Sequence, residues 1–183
     1  MSKKILMIAI FIGLFSGCIT VDPQGRGYSI AVPIGVINST LAEKFPVDRK
    51  LKYGIVSGNL NISNPNILGA KGKDKLAIGT KFKFTNFLIP DGISGNINLS
   101  SGIKYDAQSR NLYLKNPMVD TIKFQNESLL QKLPNGVQNA IGMIVAETIA
   151  QKPIYNIKSG TLASGLIKGI DVRNGQVFLT FGL

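Results

Sequence analysis

Hydrophobic and polar residues alternate with a period of two along much of this chain, a pattern that is typical of β-strands. The clearest alternation runs from Lys75 to Thr85. One face of this segment carries apolar residues, and the other carries lysines: Leu76, Ile78, Phe82 and Phe84 against Lys75, Lys81 and Lys83. A strand with one polar face predicts an antiparallel sheet whose second face covers apolar material.

The same alternation predicts further strands on both sides of this segment. It predicts strands over 28–36 and over 51–61, the second with a bulge or bend at Gly58, where the apolar positions change face. Long strands are expected after Ile93 and up to Met118, separated by a turn at 107–110. A final strand from Leu166 returns after Asn174-Gly175, the dipeptide best suited to a two-residue type I′ hairpin.

Two segments have helical signals instead. Thr40-Leu41-Ala42-Glu43 has the form of a capping box and predicts one short helix that Pro46 ends. Apolar residues spaced by three and four from Pro134 to Gln151 predict a helix of about four turns that is apolar round much of its circumference. Such a helix must be enclosed, so we predict an α+β fold in which a long curved antiparallel sheet wraps around this helix.

The N-terminus has the parts of a secretory signal: Lys3-Lys4, then an apolar run from Ile5 to Phe15. The run is shorter than the roughly 20 residues that cross a bilayer as a helix. Phe15-Ser16-Gly17-Cys18 resembles the lipobox of bacterial lipoproteins, which implies cleavage before Cys18 and lipidation of its thiol. The alternative is that Cys18 ends an ordinary signal or lies in an uncleaved anchor.

These segments divide the chain into a signal peptide at 1–17, a lipidated tether at 18–27 and a single domain at 28–183. The resemblance to lipoproteins also bears on location. In lipoproteins of enteric bacteria, an aspartate after the lipidated cysteine signals retention in the inner membrane. Here Ile19 follows the cysteine, so the resemblance implies sorting to the periplasmic face of the outer membrane.

Charge narrows the choice of partners. The chain has 21 Lys and Arg against 10 Asp and Glu, a net charge of +11, or +9 after loss of Lys3 and Lys4 with the signal. This balance favours an anionic lipid, a cell-wall polymer or nucleic acid as a neighbour. Export argues against nucleic acid, and the chain has no tryptophan. A candidate basic surface comprises Lys71, Lys73, Lys81 and Lys83, whose other interpretation is a solvated strand face.

The chain lacks the residues that several kinds of catalytic chemistry need. The chain contains no histidine, so Ser-His-Asp and Cys-His arrangements and histidine-based zinc sites are excluded. Cys18 is the only cysteine, which excludes a disulfide within one chain and a multi-cysteine metal site. Most carboxylates lie beside turn signals, where acidic residues are common. We therefore expect no enzymatic activity, no cofactor and no metal.

The order of short motifs along the chain is itself informative. Asn64-Pro65 is followed by Gly92-Ile93-Ser94-Gly95, Gly102-Ile103-Lys104-Tyr105-Asp106 and Asn111-Leu112-Tyr113-Leu114-Lys115-Asn116-Pro117, then by the apolar helix, Lys152-Pro153-Ile154-Tyr155 and the hairpin. This order resembles the YceB-like bacterial lipoproteins over nearly the whole mature chain. The resemblance implies a fold similar to half of a tubular lipid-binding protein, such as the bactericidal permeability-increasing protein. It brings no catalytic residues, and lipid binding enters only as an analogy of architecture.

Two functions follow as hypotheses. In the first, the protein is held at the membrane by its lipid and binds a lipid or other apolar ligand between sheet and helix. The candidate cavity would be lined by Phe82, Phe84, Ile97, Leu99, Ile141 and Val145. In the second, those six residues form a dry core, and the protein is a structural or interaction module of the envelope that meets a partner through its basic surface.

Overall fold

The computed structural model describes residues 19–69, 73–131, 133–134, 136–157 and 167–182. Within these ranges the strands are β1 (Ile19–Val21), β2 (Tyr28–Val32), β3 (Val47–Tyr53), β4 (Val56–Ile67), β5 (Leu76–Thr85), β6 (Ile93–Asp106), β7 (Asn111–Phe124), β8 (Tyr155–Asn156), β9 (Ile167–Arg173) and β10 (Gln176–Phe181). The helices are α1 (Ile34–Ala42), α2 (Glu127–Leu130) and α3 (Val137–Ala150).

The strands form two antiparallel sheets. The larger sheet is a meander of six strands in the order β3-β4-β5-β6-β7-β8, and the smaller has the order β1-β2-β10-β9. The predicted α+β class with antiparallel strands is confirmed, whereas the expectation of one long sheet is wrong. The first strands of the chain pair with the last hairpin, as in the register Ile30 opposite Leu179, and a period-two pattern carries no information about such distant partners.

The larger sheet bends around α3. Arg49 of β3 donates through Nε to Thr148 Oγ1 of α3 at 3.2 Å, while Gly142 of the same helix lies against Val119 and Ile122 of β7. The two contacts are six residues apart on α3, about 9 Å along its axis, whereas β3 and β7 would be about 19 Å apart in a flat sheet. Contact of α3 with both strands therefore favours a sheet that bends towards the helix.

The core lies on the concave side of this sheet. The alternation predicted for β5 is confirmed, because Leu76, Ile78, Phe82 and Phe84 are buried and the intervening Lys81 is exposed. Buried side chains of β4, β6 and α3 join the same apolar cluster. Phe82 packs edge-on against Phe124 of β7, with ring centroids 5.3 Å apart.

The short N-terminal helix exists, but its predicted start was wrong. Helix α1 begins after Pro33, whose lack of an N–H suits the end of β2, so the strand expected over 28–36 stops at Val32. Ile37 and Leu41, one turn apart, bury the inner face of the helix. Thr40 lies near the end of the helix, where its hydroxyl donates to the carbonyl oxygen of Val36 at 3.0 Å and does not cap the N-terminus.

The strand predicted over 51–61 is a hairpin. Gly54, with a φ of +56°, and Ile55 form the turn between β3 and β4, so the change of face is a change of strand and Gly58 is not a bulge. The irregularity lies between Ser63 and Asn66. The turn at 107–110 and the Asn174-Gly175 hairpin are confirmed, and both hairpin residues have positive φ values, +50° and +70°.

Candidate functional site

The six residues of the candidate ligand cavity lie deep in the core. Each is at most 2% exposed, and all belong to the same apolar cluster: Phe82, Phe84, Ile97, Leu99, Ile141 and Val145. Pockets of about 560, 560, 540 and 250 Å³ open between described residues, and all four are lined by other side chains. The structure thus places the six residues in one buried apolar cluster, and the four described pockets are lined by other residues.

The convex side of the larger sheet carries a set of aligned lysines. Asn96 of β6 lies between Lys81 of β5 and Lys123 of β7, with each pair directly opposite in register. Lys83 is two residues from Lys81 on the same face. Strand β3, at the edge of the sheet, adds Lys50 and Lys52 to this face. We call these five exposed residues the basic face: Lys50, Lys52, Lys81, Lys83 and Lys123.

The candidate basic surface predicted from the sequence is only partly contained in this face. Lys81 and Lys83 belong to it. Lys73 precedes β5 at the opposite end, where its carbonyl oxygen accepts a hydrogen bond from the Gly175 N–H at 2.9 Å. Lys71 lies outside the described residues, as does Cys18.

The neighbours of the basic face are mostly neutral. Asn59 lies opposite Lys50, and Asn61 lies opposite both Lys83 and Asp48, whose carboxylate accepts a hydrogen bond from the Asn61 amide at 2.8 Å. Within the described part of the chain, ion pairs join Arg26 and Arg173 to aspartates, and none joins a lysine of the basic face to an acid. The lysines of the basic face therefore form no ion pair with a described carboxylate, although Asp48 shares their face.

Lys50, Lys52 and Lys123 were missed from the sequence because they are distant from Lys81 along the chain. Only the strand order and register bring them onto one face. The alternation of polar and apolar residues in β7 could have placed Lys123 on a polar strand face. That pattern identifies no neighbour of Lys123 until the partner strand of β7 is known.

Large apolar side chains project from one end of the larger sheet. Asn59 of β4 lies opposite Thr85 of β5, so the β3–β4 turn and the β5–β6 loop adjoin each other. Ile55 in the turn is 96% exposed, and Phe87 and Leu88 in the loop are 79% and 44% exposed. We call these three residues the apolar tip. Its sequence signal is the uninterrupted run Phe87-Leu88-Ile89, which breaks the alternation just before Pro90.

An open pocket of about 560 Å³ lies between the basic face and the apolar tip. Its polar lining includes Lys50, Lys52, Asn59 and Asn86, and Phe87 forms part of its apolar wall. The Asn86 Oδ1 accepts hydrogen bonds from the backbone N–H groups of Leu88 and Ile89, at 3.1 and 2.9 Å. Its Nδ2 is buried and has no partner among the described residues.

Residues 19–27, predicted as a tether, are structured. Ile19–Val21 form β1, which pairs with β2, and the turn that follows is organised by the carboxylate of Asp22. Hydrogen bonds from Arg26 hold the pKa of Asp22 well below its usual range, and the same pairing raises the pKa of Arg26. The tether prediction failed because a buried aspartate beside glycines has the composition of a loop.

Among the described residues, no group of three or more cysteine, aspartate or glutamate side chains is placed to hold a metal ion. Within those residues, too, none of the helices has the length and apolar character needed to cross a membrane.

Comparison with protein-family profiles gives a match. Residues 35–176 match the sequence profile of a family described as "Protein of unknown function (DUF1439)". The matched region begins in α1 and ends at the start of β10, so it contains the larger sheet, α3, the basic face and the apolar tip. None of the curated proteins matches the chain.

Proposed function

This chain belongs to the DUF1439 family, whose description assigns no activity, and we propose that it is a non-enzymatic module of the bacterial envelope that binds an anionic surface through its basic face. The observation that carries the proposal is the alignment of five exposed lysines on one side of the sheet, unpaired with any described acid.

Electrostatics gives the expected scale of such binding. Each lysine near an anionic membrane surface contributes about 1 kcal/mol, an attraction that falls off within a Debye length of roughly 8–10 Å at physiological ionic strength. Several lysines on one face act together, whereas lysines scattered around a domain cannot all approach one surface. The amides of Asn59, Asn61 and Asn96 lie between the lysines and supply neutral donors for phosphate oxygens.

The proposal includes a lipid anchor at Cys18 and a location at the periplasmic face of the outer membrane. The lipobox-like Phe15-Ser16-Gly17-Cys18 supports the anchor, and Ile19 after the cysteine supports the location. Because β1 starts at Ile19, a lipid on Cys18 would be attached next to the small sheet. We also propose the YceB-like assignment and the tubular lipid-binding type of fold, which the bending of the sheet around α3 supports.

The test compares two charge reversals that change net charge equally. Lys81→Glu/Lys123→Glu removes two lysines of the basic face, and Arg110→Glu/Lys168→Glu removes two exposed cations elsewhere, one in the β6–β7 turn and one on β9. The chain from residue 19, which contains every described element, is sedimented with phosphatidylglycerol–phosphatidylcholine vesicles at low and high salt. We expect the first pair to weaken binding at least tenfold and the second less than threefold. Equal effects would reject a specific basic face.

An apolar ligand between sheet and helix is the second candidate. It is favoured by the seam between α3 and β7, where Val119 is 38% exposed beside the helix. Gly142 lies against Val119 and Ile122 there, so the seam leads towards the buried cluster. Solvent extraction and mass spectrometry of the chain purified from a bacterial periplasm test this candidate. A stoichiometric lipid supports it. An empty protein that also fails to bind fluorescent fatty acids and phospholipids rejects it.

A further inference from the structure

We propose that the apolar tip inserts into an anionic phospholipid bilayer and that the adjoining pocket receives a lipid phosphate. This inference rests on the proposed function, because the basic face supplies the attraction that brings the bilayer close. It adds the chemical identity of the surface and the part of the protein that enters it.

Exposure of the tip is the first argument. Ile55 is 96% exposed and Phe87 is 79% exposed, and the two lie on adjoining connections at the same end of the sheet. Isolated apolar residues on a surface need no explanation, but a cluster at a loop end that is rimmed by polar and charged groups marks an interaction site. An apolar projection surrounded by lysines is the composition of segments that lie in a membrane interface.

The loop that carries Phe87 is held in place by hydrogen bonds and by a buried side chain. Asn86 accepts hydrogen bonds from two backbone N–H groups of the loop, and Gly92 donates its N–H to the Ile89 carbonyl oxygen at 3.0 Å. Ile89 itself is 3% exposed and fixes the loop to the core. Phe87 and Leu88 therefore project from an ordered connection, and little conformational freedom is lost when they enter a bilayer.

Charge complementarity identifies the bilayer as anionic. Lys50 and Lys52 line the pocket beside Phe87, and the side chain of Lys83 lies against Gly92 at the end of the same loop. Insertion of Phe87 would bring these lysines to the depth of the phosphates. Asn59, Thr85 and Asn86 also line this pocket and provide polar groups beside Phe87.

The tip is also far from the predicted anchor. Strand β5 has ten residues and spans roughly 30 Å. The loop that carries Phe87 follows the last residue of β5. Lys73 precedes the first residue of β5, and its carbonyl oxygen accepts a hydrogen bond from Gly175 in the β9–β10 turn of the smaller sheet. A lipid on Cys18 and an inserted tip would thus hold the protein at two separate points.

The experiment uses the absence of tryptophan from the sequence. Phe87→Trp in the chain from residue 19 places a single tryptophan at the tip. With phosphatidylglycerol-containing vesicles we expect a blue shift of its emission and quenching by lipids with brominated acyl chains. With phosphatidylcholine alone we expect neither. Ile55→Ser/Leu88→Ser in this background should weaken vesicle binding at least tenfold, whereas Met143→Ser, another exposed apolar residue, should change it less than twofold.

The outcomes separate the two proposals. In one outcome, Lys81→Glu/Lys123→Glu abolishes vesicle binding, but the tryptophan emission of the Phe87→Trp variant is neither shifted nor quenched by vesicles. This outcome overturns insertion and retains the basic face. Equal blue shifts with neutral and anionic vesicles overturn the requirement for anionic lipid. Failure to sediment with any vesicle overturns both. Circular dichroism of the Ile55→Ser/Leu88→Ser variant should match that of the parent, because both altered side chains project into solvent.

Discussion

Asp22 and Arg26 form a two-point ion pair: Nε of the guanidinium lies 2.9 Å from Oδ2, and Nη2 lies 3.2 Å from Oδ1. The Asp22 side chain is 1% exposed, and Arg26 Nη2 also donates to Asp171 on β9 at 2.6 Å. Since Asp171 is 145 residues away in the chain, these contacts fasten the turn after β1 to the C-terminal hairpin. The segment beside the predicted lipid is therefore part of the fold.

We expect Asp22→Asn to lower the melting temperature by several degrees at pH 7. Asparagine keeps the shape of the side chain but removes the negative charge that faces Arg26 and Arg173. Two partly buried guanidinium groups would then face a neutral amide, and Arg26 would keep only Asp171 as an anionic partner, which destabilises the fold. The measurement is thermal unfolding followed by circular dichroism, with the exposed Asp91→Asn as control. Equal melting temperatures for the two variants would contradict a structural role for the pair.

The same pair predicts how stability depends on pH. Hydrogen bonds from Arg26 lower the pKa of Asp22 in the folded state, while in the unfolded chain an aspartate titrates near 3.9. The folded protein therefore gains stability from Asp22 above about pH 4 and loses it as the pH falls towards the folded pKa. The difference in melting temperature between the parent and Asp22→Asn should shrink from pH 7 to pH 3. A constant difference over this range would refute the coupling.

The strands could be predicted because alternation is a local property. Strand β5, the turn at 107–110 and the Asn174-Gly175 hairpin each depend on neighbouring residues, and each is present. The division into two sheets depends on pairing between β2 and β10, at opposite ends of the chain. The start of α1 was misplaced because a capping-box pattern at Thr40 competes with Pro33, and the buried spacing of Ile37 and Leu41 favours the earlier start.

The candidate sites were predictable to different degrees. Burial of Phe82 and Ile97 was implied by alternation, but the same pattern fits a ligand cavity and a packed core equally well. Lys81 and Lys83 were found because they share one strand. Lys50 and Lys123 join them through register, and the proximity of Phe87 to the β3–β4 turn likewise follows from the pairing of β4 with β5.

The side-chain amide of Asn38 in α1 bonds to backbone groups of β4 that lack a partner strand. We expect removal of this amide to lower the free energy of unfolding. Its Nδ2 donates to the Ile67 carbonyl oxygen at 3.2 Å, and the Ile67 N–H donates to its Oδ1 at 2.7 Å. Strand β3 pairs with β4 only as far as Ile62, so on this edge of β4 the backbone groups of Ile67 have no strand neighbour. Leaving buried polar groups unpaired costs about 1–3 kcal/mol.

Asn38→Ala should therefore lower the free energy of unfolding by about that amount, measured by urea denaturation. Ser39→Ala, which alters the next residue of the same helix at an exposed position, is the matched control and should change it by less than about 0.5 kcal/mol. Similar losses for both variants would mean that the bonds to Ile67 contribute little.

The choice between a dry core and a ligand cavity can be decided at Ile97. Its side chain is fully buried in the apolar cluster, so Ile97→Ala should cost about 2–5 kcal/mol if its neighbours are closely packed. If the side chain instead lines an open cavity, fewer contacts are lost and the cost should fall below about 1 kcal/mol. Urea denaturation of this variant beside Val36→Ala, an exposed aliphatic control on α1, measures the difference. A small cost at Ile97 together with binding of a fluorescent fatty acid would favour the apolar-ligand function over the basic-face function, because only a cavity explains both results.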